Sequence, residues 1–116
     1  MQYLLLIYDR ESDWAALSDE EKGTMMKDYY AFTNAIRESG HYLGGNPLQP
    51  VATATTVQVR GGKTITTDGP FAETREQLGG YYLIEAKDLD DAIGVAARIP
   101  GAQMGSIEVR PIQSLG

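Results

Sequence analysis

Apolar and polar positions along this chain fall into blocks of two different periods. Residues 2–8, Gln2-Tyr3-Leu4-Leu5-Leu6-Ile7-Tyr8, are almost unbroken apolar sequence, which predicts a β-strand buried on both faces. A polar connection follows, with Trp14 and Leu17 as its anchors. Ser18-Asp19-Glu20-Glu21 then matches a capping box: the Ser hydroxyl and a Glu three residues on satisfy the free N–H groups that open a helix. Beyond it, Met25, Tyr29, Phe32 and Ile36 recur at spacings of four, three and four. At about 100° per residue these four lie within roughly a 60° arc, the stripe of a helix that covers a core. Gly40 supplies the stop.

Downstream the period shortens. Residues 41–47 read as a short strand or extended edge, broken by Pro47 and Pro50. Thr55–Arg60 and Lys63–Thr67 flank Gly61-Gly62, and two β-rich runs around a Gly-Gly pair predict a hairpin, because its turn demands positive φ. A loop from Asp68 to Leu78 leads to a second apolar strand, 80–86. Asp88 is placed to cap a second helix, with Ala92, Val95, Ala96 and Ile99 on one face and Pro100-Gly101 as the stop. Residues 106–112 close the chain as a strand.

The order is therefore β-α-β, hairpin, β-α-β. Right-handed crossovers would put both helices on one side of a single antiparallel sheet, an α+β ferredoxin-like sandwich with an inserted hairpin. Two helices cover only one sheet face, yet 2–8 and 80–86 are apolar or aromatic at both parities. Tyr3, Leu5 and Ile7 point one way, and Leu4, Leu6 and Tyr8 the other. A face so apolar predicts pairing with a second copy, sheet to sheet, with room for a pocket between them. The alternative is that the hairpin folds across it.

Composition narrows the chemistry. At 116 residues the chain is expected to be one domain spanning 1–116. It has no cysteine, which rules out disulfides, zinc thiolates and thiol nucleophiles and fits a reducing cytoplasm. The opening segment lacks the basic flank and cleavage site of a signal peptide, and no apolar run approaches the ~20 residues needed to cross a bilayer. A net charge of −6 with no dense Lys/Arg run argues against nucleic acid and against an anionic membrane as partners. One histidine and scattered acids are too few ligands for a transition-metal site. None of the glycine pairs sits between a strand and a helix as a phosphate cradle would, so no cofactor is implied.

The densest constellation is Thr66-Thr67-Asp68-Gly69-Pro70-Phe71-Ala72-Glu73-Thr74-Arg75-Glu76-Gln77-Leu78-Gly79-Gly80-Tyr81-Tyr82. With the opening Tyr-Leu-Leu-Leu-Ile-Tyr, Trp14, Leu48-Gln49-Pro50 and the closing Ile-Glu-Val-Arg-Pro-Ile, it resembles the DGPF branch of the YCII-related family over nearly the whole chain. The resemblance implies a ferredoxin-like α+β homodimer of the dimeric α/β-barrel type. The wider family includes a dehydrochlorinase of aromatic breakdown, a lyase that needs no metal. Genes of the DGPF branch often lie beside those of extracytoplasmic-function sigma factors. The wider family's suspected catalytic pair is an Asp with a His from the first helix. Here that helix reads Lys27-Asp28-Tyr29-Tyr30-Ala31-Phe32, without a His, and His41 lies past its end.

Candidate site residues cluster in the motif. Asp68 is the candidate general base, since a carboxylate held against Phe71 would have its pKa raised. Its bland role is to bond the backbone of an Asp-Gly-Pro turn. Phe71, Glu73, Arg75, Gln77 and Tyr82 are the candidate ligand-binding residues: polar groups on a loop entering a central strand, and one aromatic facing a pocket, since Tyr81 and Tyr82 project to opposite sheet faces. Arg75 would clamp an anion or pair with Glu73 or Glu76. Two functions stay open. One is small-molecule binding near the Asp68 loop, with metal-free lyase chemistry. The other is a non-catalytic module that meets a sigma-factor-linked protein partner. His41 is expected to meet water and to carry no catalysis.

Overall fold

Each predicted element forms, with boundaries moved by no more than three residues. The computed structural model describes residues 1–115. Its elements are β1 (Gln2–Asp9), α1 (Glu11–Ala15), α2 (Asp19–Glu38), β2 (Tyr42–Pro47), β3 (Thr55–Arg60), β4 (Lys63–Asp68), β5 (Gln77–Glu85), α3 (Leu89–Ala97) and β6 (Ser106–Pro111). Short 3₁₀ turns occupy Val51–Thr53 and Pro100–Gln103. Neither these turns nor α1 was foreseen; three to five residues are too few to display a helical period.

Local chemistry sets the ends of α2. The Ser18 hydroxyl accepts the Glu21 N–H at 3.0 Å, and the Glu21 carboxylate accepts the Ser18 N–H at 2.9 Å. These bonds hold the Glu21 carboxyl below its usual pKa. At the other end the N–H groups of Gly40 and His41 return to the Arg37 and Ile36 carbonyls at 3.1 and 2.9 Å, the Schellman pattern. Asp88 caps α3 by accepting the Asp91 N–H at 2.8 Å.

The main sheet has the order β2-β5-β1-β6, and every neighbouring pair is antiparallel. With α2 and α3 on one face, this is an α+β architecture. Tyr3, Leu5 and Ile7 of β1 and Ile84 of β5 meet Phe32 and Ile36 of α2 and Ala92, Val95 and Ala96 of α3 in one buried cluster. Burying each large apolar side chain stabilises the fold by about 1.5–3 kcal/mol. On the other face, Leu4 pairs with Leu83 and Leu6 with Tyr81; these four are half-buried, and no helix covers them.

The hairpin does not fold across that face. Strands β3 and β4 form a separate two-stranded sheet, turned by Gly61 and Gly62 at φ 58° and 76°. Every residue of β4 is exposed, and the molecule is a slab of 48 × 46 × 19 Å.

Candidate functional site

The polar chemistry gathers at one end of the sheet, where β1 finishes and β5 and β6 begin. There an open cleft of about 520 Å³ is lined by Tyr8 and Arg10, by Thr74, Arg75 and Glu76 ahead of β5, and by Ser106, Ile107 and Glu108 of β6. Pairing of Tyr8 with Ser106 and of Leu6 with Glu108 puts their side chains on the uncovered face. Of the two acids in the cleft, only Glu108 has a counter-charge. Glu76 accepts the Ser106 hydroxyl at 2.9 Å, and Glu108 pairs with Arg110. Arg10 and Arg75 enter no ion pair among the described residues.

The rim of the cleft is tied down. Gln77 donates to the Thr74 carbonyl at 2.9 Å and accepts the Glu11 N–H at 3.1 Å. Thr74 donates to the Glu76 carbonyl. The Glu11 carboxylate in turn accepts the Val51 N–H at 2.8 Å, which links α1, the rim and the root of the hairpin.

On the helix side of the same end lie Asp9 and Tyr29. Burial first, then the charges of Glu76, Glu11 and Asp13, push the Asp9 carboxyl above its usual pKa. Lost hydration disfavours the charged carboxylate, and the three neighbouring acids add to that. Burial likewise pushes the Tyr29 phenol up to about 12, with Asp9 adding to the shift. At neutral pH the phenol keeps its proton. Its oxygen accepts the Gly101 N–H at 3.2 Å, so its O–H is left to donate. Two glycines make room for this arrangement. A Cβ on Gly101 would lie 2.6 Å from the Tyr29 oxygen, and one on Gly105 would collide with the Tyr8 carbonyl.

A family model of the YCII-related domain matches residues 1–115. The chain belongs to the YCII-related family. An uncharacterised protein of Rhizobium meliloti (strain 1021) is 41% identical to it over 114 residues, 97% of this chain and 92% of that protein.

Within this YCII-related chain the residues singled out in the sequence part company. Arg75 lines the cleft and Gln77 braces its rim. Asp68 is exposed at the end of β4, paired with Thr55, and makes no side-chain hydrogen bond among the described residues. Phe71 is 79% exposed, so in the single chain it does not desolvate Asp68; the expected turn is held instead by the Gly69 N–H on the Ala54 carbonyl at 2.8 Å. Glu73 is exposed. Tyr81 and Tyr82 do face opposite ways, but Tyr82 is on the helix side. Its hydroxyl lies 2.7 Å from Thr33 Oγ1 and its ring packs edge-on against Phe32. Burial raises its pKa. Tyr81 is the one on the open face.

His41 does not face water alone. Its Nδ1 is 2.6 Å from the Ser39 hydroxyl and its Nε2 is 3.1 Å from the Asp91 carboxylate, so it joins the end of α2 to the start of α3. The Lys87 N–H and then His41 hold the Asp91 carboxyl below its usual pKa. The side chain that α2 brings to the polar sheet end is Tyr29.

Asp9, Arg10 and Tyr29 escaped notice as site residues. The available signal was an acid closing an apolar strand, followed by Glu11 and Asp13. Among the described residues no group of three or more His, Cys, Asp or Glu could hold a metal ion. Among the described residues no helix is long and apolar enough to cross a membrane.

Proposed function

We propose that this protein is a cytoplasmic, ferredoxin-like homodimer that binds a small organic anion in the Arg10–Arg75 cleft. The observation that carries the reading is the pair of guanidinium groups in the cleft: Arg10 and Arg75 enter no ion pair among the described residues and can fork onto a carboxylate or phenolate, whereas Glu108 is already paired with Arg110. Tyr8 supplies an aromatic wall for an apolar body. Asp9 and Tyr29, which hold their protons more tightly than usual, lie on the helix side of the sheet and do not line this cleft, so no proton transfer is routed through them. A sigma-factor-linked partner is a second reading, favoured by Phe71, an aromatic ring presented to solvent on a polar loop.

Benzoate is a suitable probe. Titrated into ¹⁵N-labelled protein, it should move the amide signals of Arg10, Arg75, Glu76 and Ser106, and Arg75→Ala should weaken binding about tenfold or more, as for a charge-assisted bond lost. Shifts scattered over the surface, or unchanged in Arg75→Ala, would refute the site.

Stability against pH tests Asp9 separately. Its folded pKa lies above the ordinary 3.8, so folding favours the protonated form. The penalty for charging it is absent below 3.8 and sets in as pH rises through the folded value. Asp9→Asn should therefore stabilise at pH 7, by about 1 kcal/mol or less because the group is partly solvated. The gain should disappear in acid. A loss of stability at pH 7 would remove Asp9 as a perturbed acid.

A further inference from the structure

The β3–β4 hairpin is the largest feature used by neither the core nor the cleft. It spans about 20 Å, six residues at ~3.3 Å each, and its Val57–Val59 face is open. Cross-strand pairing puts Val57 opposite Thr66 and Val59 opposite Thr64, so one face is a run of β-branched side chains. Val57 and Val59 are each 60% exposed, and Ile65 on the other face is 44% exposed. An isolated two-stranded hairpin is marginal in water, and this one has no cover from its own chain.

Surface area says how much cover is missing. The chain exposes 8043 Å², whereas a compact monomer of 12.7 kDa exposes roughly 6,200 Å². The excess, about 1,800 Å² by that scaling, is more than twice the ~800 Å² that each partner contributes to a standard interface, and falls in the range of obligate dimers. The radius of gyration agrees: 16.1 Å against about 13.4 Å for a compact chain of this length.

We propose that the hairpin is a dimerisation arm whose Val57–Val59 face lies on the uncovered sheet face of a second copy of this chain, around Leu4, Leu6 and Leu83. The inference rests on the dimer suggested above and names the surface that makes it. Both halves of such an interface are present on one chain, so a two-fold axis uses each half twice and leaves neither wet. A foreign protein seated on the arm would leave the sheet face open. Charge points the same way. The chain has sixteen acidic and ten basic residues, and the arm tip carries Arg60 and Lys63 with no acid between them. Two acidic bodies repel, and a basic tip laid on the partner body offsets that repulsion. The arm also bears on the cleft. The Thr56 hydroxyl donates to the Gly69 carbonyl at 2.8 Å and Val51 bonds Glu11 at 2.8 Å, so a docked arm steadies the loop that forms the rim.

The test is sedimentation of the full chain beside the double variant Val57→Lys/Val59→Lys. Wild type should sediment at twice 12.7 kDa at micromolar concentration, and the variant's dissociation constant should rise about a hundredfold or more, since four charges enter the apolar interface of each dimer. A wild-type dimer that the variant leaves intact would overturn the arm while keeping the dimer; a wild-type monomer would overturn both. The absence of cysteine allows a second measurement that does not depend on the variant's folding. Val59→Cys, labelled with a benzophenone maleimide and mixed as ¹⁴N and ¹⁵N copies, should cross-link to β1 or β5 of the other isotope. Cross-links confined to the label's own chain would refute the proposal.

Discussion

The ladder between β1 and β5 and the ladder between β3 and β4 are built from the same backbone bonds, yet the side chains on them have opposite fates. Leu5 and Ile84 in the first are 0% exposed; Val57 and Val59 in the second are 60% exposed. Inter-strand hydrogen bonds exchange with water at a net gain of about 1 kcal/mol each, so pairing alone does not separate the two regions. The difference is cover. The body has α2 and α3 laid over one sheet face, and the arm has nothing. Both sequences are rich in β-branched and apolar residues, which shows that strand propensity reports on pairing and is silent about what the strand packs against.

The sharpest way to break this comparison is to cut into the body. Ile36 is fully buried beneath the sheet, and Ile36→Ala should cost about 2–5 kcal/mol through lost transfer energy and a residual cavity. Urea titration reads it directly; a loss under about 1 kcal/mol would mean that the α2 layer is not what separates body from arm. A smaller effect is expected where the body depends on local bonds. Ser18→Ala removes the cap of α2 and should cost about 1 kcal/mol, measured as a shift of the urea midpoint without change in slope. The smallest belongs to the arm. Val57→Thr keeps the branched shape at a solvent-facing position, and under conditions where the chain is monomeric it should change stability by no more than about 0.5 kcal/mol. A larger loss would show that the arm already packs within its own chain.

Much of the body was legible because its signals are short-range. The capping box of α2 operates over three residues, its stripe over four, and the Gly61-Gly62 turn over two. Alternation along β1 also foretold one face for the helices and one without them. Assignments that failed or were missing join residues far apart in the chain. Parity said that Tyr81 and Tyr82 face opposite ways but not which faces the helices, because that depends on register with β1 and β2. Asp9 became a perturbed acid because the fold buried it and brought Glu76, ahead of β5, beside it, and Tyr29 reached that end through a contact with Gly101 across 72 residues. His41 found Asp91 across 50.

The sequence by itself determined the order and kind of the elements, the ends of both long helices, the acidic balance, the absence of thiol chemistry and the family resemblance. These follow from periodicity, backbone capping and composition, which act within a few residues or not through space at all. Only the tertiary structure decided which sheet end collects the charged groups, which arginines there enter no ion pair among the described residues, and that the hairpin stands clear of the body. Those outcomes depend on which strand ends meet and on what covers them, and burial and Coulomb interaction are properties of distance in space rather than of separation along the chain.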